Sequence, residues 1–188
     1  LDDLAGLRRG HLALYASQTI AGYWLPARLH RFHAAWPGVS LSLAVGNTVQ
    51  VAQAVLEGTA ELGFVEGDVP EPLLARIPVA EDRLVLVAAP SFATASLAPA
   101  DLADLPWVLR EHGSGTRQVF ESRLAELGLD PSRLEIALEL PSNESVRAAV
   151  EAGAGATVIS RLVAEARLAT GALVELPFAF PARRFTAI

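Results

Sequence analysis

Two hydrophobic rhythms alternate along the chain. His11-Leu12-Ala13-Leu14-Tyr15-Ala16 has the two-residue period of a strand. Ser17-Gln18-Thr19 follows as a polar turn, and Leu25, Leu29, Phe32 and Trp36 then recur as the apolar stripe of one helix face. Pro26 suits that helix's first turn, and Pro37-Gly38 stops it. Val39 to Val45 returns to alternation. Gly46-Asn47-Thr48 turns the chain into a second helix, marked by Val51 and Val55 and ended by Gly58. Glu61-Leu62-Gly63-Phe64-Val65 is a short buried strand. This order of strand, helix, strand, helix, strand predicts a parallel sheet with right-handed crossovers.

The second half repeats the scheme. Leu73 to Val79 and Arg83 to Ala88 are strand candidates, and the turn-rich stretch from Pro90 to Pro106 holds a short helix near Asp101. Trp107-Val108-Leu109 leads into Arg110-Glu111-His112-Gly113-Ser114-Gly115-Thr116-Arg117. A helix carrying Phe120, Leu124 and Leu127 leads out and stops at Gly128. Leu134 to Leu140 alternates as a strand. Pro141-Ser142-Asn143-Glu144 opens a helix with Val146 and Val150, and Gly153 and Gly155 end it. Ala156 to Ile159 is a strand, Ser160 caps a last helix that Gly171 ends, and Leu173 to Leu176 and Arg184 to Ile188 are final strands. No fixed-period repeat and no low-complexity segment interrupts the pattern.

Composition narrows the class. With 188 residues, 52% hydrophobic and 19% charged, the chain suits one large domain or two small lobes with a well-buried core. A net charge of −6 argues against this piece gripping a nucleic-acid backbone. The lack of cysteine removes disulfides, thiolate nucleophiles and Cys-based zinc sites. No apolar run reaches the roughly 18 residues of a membrane span. The start lacks both Met and a secretion signal, and Leu4, Leu7 and Arg8-Arg9 resemble the tail of an incoming helix. A preceding segment, and a terminal helix after Ile188, are expected to lie outside the chain.

Four strand-to-helix turns carry short polar side chains: Ser17/Thr19, Asn47/Thr48, Ser114/Thr116 and Ser142/Asn143. In open α/β sheets ligands sit beyond the carboxyl ends of strands, where helix N-termini favour anions. These turns either converge on one cleft or serve as four helix caps; capping and binding are compatible. Arg117 is the first candidate to neutralise an anion, because a cation in a first helical turn is unfavourable unless an anion is near. Arg110 is the second. The alternative for both is an ion pair with Glu111, Glu121 or Glu144.

Enzyme signatures mostly fail, and a Ser–His–acid triad from Ser114 and His112 has no supporting geometry. Gly113-Ser114-Gly115 lacks the glycine spacing of a nucleophile elbow and the lysine of a phosphate-binding loop, and Gly153-Ala154-Gly155 lacks the third glycine of a dinucleotide fingerprint. His11, His30, His33 and His112 form no metal pattern. No catalytic residue, metal or cofactor is expected.

Taken in order, these residues resemble the effector-binding domain of LysR-type transcriptional regulators. The resemblance runs through Ala16-Ser17-Gln18-Thr19, Pro37-Gly38-Val39, Gly46-Asn47-Thr48, Glu61-Leu62-Gly63-Phe64-Val65, Arg110-Glu111 with Gly113-Ser114-Gly115-Thr116-Arg117, and Ser142-Asn143-Glu144. The Gly-Asn-Thr and Gly-Ser-Gly-Thr-Arg forms are similar to the branch that regulates sulfur assimilation and carbon fixation. The resemblance implies a type 2 periplasmic-binding-protein-like fold, with two α/β lobes, two crossing strands and a ligand cleft between the lobes. Lobe I is expected over 1–82 and 178–188, and lobe II over 83–177. Effector-binding positions are expected at Ser17, Gln18, Thr19, Asn47, Thr48, Arg110, Ser114, Gly115, Thr116, Arg117 and Asn143. His112 stands where the family often has proline. The effector would be a small anion such as sulfate, phosphate or a carboxylate. DNA would be reached only through an N-terminal winged helix-turn-helix outside this chain, in a cytoplasmic bacterial dimer or tetramer. The alternatives are a periplasmic solute receptor, or an enzyme, on the same fold.

Overall fold

The computed structural model describes residues 9–67 and 69–188. Of the helix tail expected at Leu4 to Arg9, all but Arg9 lies outside them. The chain divides into two compact units: residues up to Ala80 together with Phe185–Ile188, and Glu81–Arg184.

The first unit is built on β1 (Gly10–Ser17), β2 (Val39–Gly46) and β3 (Leu62–Glu66), which run parallel with β1 in the middle. Its sheet is completed by β4 (Ile77–Asp82) and β10 (Arg183–Ala187), and β10 runs antiparallel to β3. The unit boundary falls within both of these strands. Period-two alternation sends Leu14 and Ala16 into a cluster with Ile20, Leu25, Phe64 and Phe185, while Val51, Val65, Val69 and Ile188 form a separate one. Trp24 lies edge-on to Phe185, 5.8 Å between ring centroids, and Arg28 stacks 3.8 Å above the Trp24 ring.

Here the structure departs from the periodicity in two places. The chain leaves β1 directly into helical conformation, and a π-helical turn over Ile20–Trp24 precedes α1 (Pro26–Ala35). Leu25 is buried and Leu29 half-buried, but Phe32 and Trp36 are exposed, and α1 buries none of its own residues. The stripe is real, but its far end extends past the cluster that takes Leu25 and Leu29. The strand expected at Leu73 to Val79 begins at Ile77, because residues 72–74 form a turn in which Leu73 is 82% exposed.

The second unit has a five-stranded sheet in the order β7-β6-β8-β5-β9. These are β7 (Ile136–Leu140), β6 (Trp107–Arg110), β8 (Ala156–Ser160), β5 (Leu84–Ala88) and β9 (Val174–Ala179). β5 runs antiparallel to both neighbours. Its unbroken run Leu-Val-Leu-Val-Ala is explained by burial of both faces. Leu84, Leu86 and Ala88 pack with Trp107, Phe120 and Leu124, and Val85 and Val87 pack with Val146, Val150 and Val163. Helices α3 (Gly115–Glu126), α4 (Asn143–Glu151) and α5 (Arg161–Ala169) belong to this unit; α2 (Thr48–Leu56) belongs to the first. Gly155 sits at φ +145°, and a Cβ there would stand 2.2 Å from the Pro106 carbonyl oxygen. Only glycine fits that approach.

Candidate functional site

In the first unit the polar side chains gather where β1, β2 and β3 end. Ser17 closes β1, and its hydroxyl donates to the Glu66 carboxylate at the end of β3. Thr48, the first residue of α2, donates its hydroxyl hydrogen to the main-chain oxygen of Glu66 at 2.7 Å. Ser17, Thr48 and Glu66 are all buried. Since each hydroxyl has one hydrogen and two lone pairs, Ser17 and Thr48 are left able to accept but not to donate elsewhere. Asn47 caps α2 in a capping box: its Oδ1 accepts from Gln50 N at 3.0 Å, while Gln50 Oε1 accepts from Asn47 N at 2.9 Å. Thr19 is buried and Gln18 half-buried, and Thr19 makes no capping bond to the π-helical turn. Gly46 keeps this end open, since a Cβ there would meet Gln50 Oε1 at 2.7 Å and the Tyr15 hydroxyl at 2.9 Å.

The second unit treats its two turns differently. Ser142 is a working cap of α4, accepting from Ser145 N at 3.0 Å. Ser114 is the N-cap residue of α3, but its side chain makes no capping bond. Ser114, Gly115, Thr116 and Arg117 are nonetheless all buried. Among the described residues, the Ser114 hydroxyl has no hydrogen-bond partner. The first N–H groups of a helix have no intrahelical acceptor. The α3 N-terminus therefore offers main-chain donors and a hydroxyl with no cap to satisfy them.

The arginines hold this turn in place. The Arg117 fork reaches Glu121 at 2.6 Å, Glu139 at 2.5 Å and the Arg110 carbonyl oxygen at 2.9 Å. Burial on its own pushes the Arg117 pKa down, but hydrogen bonds and charge from Glu121 and Glu139 outweigh it and hold the group above its ordinary value. The anion that a cation in a first helical turn demands is thus already present in the protein. Arg110 donates to both Glu111 oxygens, at 2.7 and 2.9 Å, and to Asn143 Oδ1 at 2.7 Å, tying the end of β6 to the start of α4.

One cluster escaped the sequence reading. Arg183 on β10 donates through Nε to Asp82 Oδ2 at 2.7 Å, and through Nη1 to Thr116 Oγ1 at 2.9 Å. Ser160 donates to Asp82 Oδ1 at 2.7 Å. All four residues are buried. The partners are 101 and 67 positions from Arg183, and no local pattern reports a pairing at that range. Of the histidines, His112 lies in the turn between β6 and α3 but is exposed, as are His30 and His33, and His11 bonds Ser40 and Ser42. Among the described residues, no three His, Cys, Asp or Glu side chains are grouped to hold a metal, and no helix is long and apolar enough to cross a membrane.

Two α/β units joined by two strands, with polar strand ends facing helix N-termini, define a ligand-binding module of the type 2 periplasmic-binding class. Residues 5–188 match the LysR substrate binding domain, and the chain belongs to that family. It is 37% identical over 174 residues to the HTH-type transcriptional regulator YeiE of Escherichia coli (strain K12), covering 92% of this chain and 58% of that protein. To the HTH-type transcriptional regulator CbbR of Rhodospirillum rubrum it is 35% identical over 177 residues, covering 94% and 58%. The chain therefore spans little more than half the length of these relatives. Among solved structures, the CcmR regulatory domain of Synechocystis PCC6803 in complex with 2-PG is similar, with a TM-score of 0.83 and 27% identity, covering 95% of this chain and 86% of that one. The matching family is a substrate-binding domain, and the two named relatives are transcriptional regulators.

Proposed function

We propose that this domain senses a small anionic metabolite and thereby controls transcription by a longer, DNA-binding protein. The direct contacts are assigned to Ser17, Gln18, Thr19, Asn47 and Thr48 in the first unit and to Ser114, Gly115, Thr116 and Asn143 in the second. Arg110 and Arg117 take part by shaping the second unit's turn. The observation that carries the reading is the α3 N-terminus, where Ser114 is buried, caps nothing, and stands among unsatisfied main-chain donors. Such an end favours negative charge. Acceptor-only Ser17 and Thr48 favour an effector that also bears a hydrogen-bond donor, such as a hydroxy acid. An effector stabilises whichever arrangement of the domain it contacts better. In a cytoplasmic dimer or tetramer, that arrangement governs the DNA-reading segments outside this chain.

The test is a thermal-shift screen of the 188-residue chain against sulfate, inorganic phosphate, small carboxylates and their hydroxylated counterparts. A true ligand at about 100 times its Kd adds roughly 2.7 kcal/mol of stability. Ser114→Ala together with Thr116→Val is expected to abolish that gain. Retention of the full gain in the double variant sinks the reading.

A further inference from the structure

We propose that Arg183 is a positioning residue that sets the Thr116 hydroxyl as a donor toward an oxyanion. The proposal rests on the reading of Thr116 as an effector contact. A free threonine hydroxyl rotates and can serve as donor or acceptor. Here its oxygen accepts from the Arg183 guanidinium at 2.9 Å, and among the described residues no acceptor takes its own hydrogen. A hydroxyl that accepts a charge-assisted bond is polarised, so its O–H becomes the better donor and its oxygen the poorer acceptor.

The donor is itself immobilised. Asp82 holds Arg183 through contacts from Nε and Nη2, both at 2.7 Å, and Ser160 fixes the other Asp82 oxygen. Arg183 and Asp82 form a net neutral pair with side chains 3% and 1% exposed. Their field at a distance largely cancels, so the effect on an effector runs through the Thr116 hydrogen bond and not through bulk charge. A lysine could keep the pair with Asp82. Its single ammonium could not reproduce a planar fork that grips a carboxylate on one side and a hydroxyl on the other.

A double-mutant cycle read by calorimetry tests this. The probes are sulfate, inorganic phosphate, glycolate and malonate, titrated into the wild-type chain and into R183K, T116V, T116S, R183K/T116V and R183K/T116S. R183K is expected to weaken the tightest probe about tenfold, and T116V at least as much. R183K added to T116V is expected to cost nothing more. R183K added to T116S, which keeps the hydroxyl, is expected to cost the same tenfold as R183K alone. A tenfold loss from R183K that persists unchanged in the T116V background overturns the positioning role while leaving the anion reading intact. Wild-type affinity in R183K overturns it in the same way. If T116V binds as tightly as wild type, or if no probe binds the wild-type chain, the contact reading falls and this proposal falls with it.

Discussion

Arg117→Met removes the fork while keeping most of the apolar stem, so it isolates what the guanidinium contributes. Three interactions are lost. The pairs with Glu121 and Glu139 involve carboxylates 31% and 45% exposed, which water screens and rehydrates once the arginine is gone. Each is therefore discounted to about 0.5 kcal/mol. The bond to the Arg110 carbonyl is different, because Arg110 is buried and the oxygen loses a charged donor. That loss costs about 1–2 kcal/mol. The sum is roughly 2–3 kcal/mol, which lowers Tm by about 5–10 °C in a chain of this length. The assay is reversible thermal unfolding of the unliganded chain at low and high salt. The carbonyl contribution is expected to survive salt, and the two ion pairs to shrink. The sign with pH follows from the raised pKa. The stabilisation is present below the unfolded arginine value and is lost only as pH climbs through a still higher folded one. Stability from this group is thus constant across any ordinary working pH. A Tm within about 1 °C of wild type would mean that the turn stands without the arginine, and the account of Arg117 as its brace would be refuted.

Other expectations follow from single contacts. Gly155→Ala sets a Cβ against the Pro106 carbonyl at a φ that disfavours side chains, so it is expected to cost at least about 3 kcal/mol or prevent folding, read by denaturant midpoint. Gly63→Ala brings a methyl within 2.8 Å of Val55 Cγ2 and Ile188 Cγ1, and an overpacking loss of about 1–3 kcal/mol is expected in the same assay. Glu66→Gln leaves an amide where Ser17 donates to a carboxylate, so affinity for a hydroxy acid is expected to change more than affinity for the matching plain acid, measured as a ratio of Kd values. The Ser132 hydroxyl and N–H hold the Asp130 carboxyl below its usual range, so Ser132→Ala is expected to raise its NMR titration midpoint. The sign is that of a depressed acid: its contribution is present above the unfolded value and is lost as pH falls through the folded one.

The strands and most helices were legible because burial imposes period two or period 3.6 on the apolar residues themselves. Leu14 and Ala16, or Phe120 and Leu124, report their own placement. Phe32 and Trp36 misled for the same reason: periodicity shows that a face is apolar but not how far its cover extends. The turns were legible as turns, yet their chemistry was not. Asn47 and Ser142 cap their helices while Ser114 does not, and nothing in the four short polar stretches separates them. The demand of Arg117 for a nearby anion was readable from its position in the first helical turn. That β7 would supply one of those anions through Glu139 was not, because the pair spans 22 positions and two elements. Asp82 and Arg183 lie further still beyond local reach, each on a strand that carries the chain from one unit to the other.

The hydroxyl and carboxylate pairings also explain why these strand ends suit holding a ligand better than transforming one. General base catalysis needs a carboxylate or imidazole with a lone pair available to a substrate proton. The buried acids near the polar turns already accept hydrogen bonds within the protein. Glu66 accepts from Ser17, and Asp82 is bound on both oxygens, by Ser160 and by Arg183. The Ser17 and Thr48 hydroxyl hydrogens are already engaged, and the start of α3 carries main-chain N–H groups with no side-chain cap. Such groups discriminate by whether a ligand atom donates or accepts, and a mismatch leaves a buried polar group unpaired at about 1–3 kcal/mol. Two or three mismatches of that size give the differential affinity that a population switch requires, since a shift from 1:99 to 99:1 needs about 5.5 kcal/mol. On the proposed contacts, acids of equal charge and size but different hydroxyl placement are expected to separate sharply in affinity.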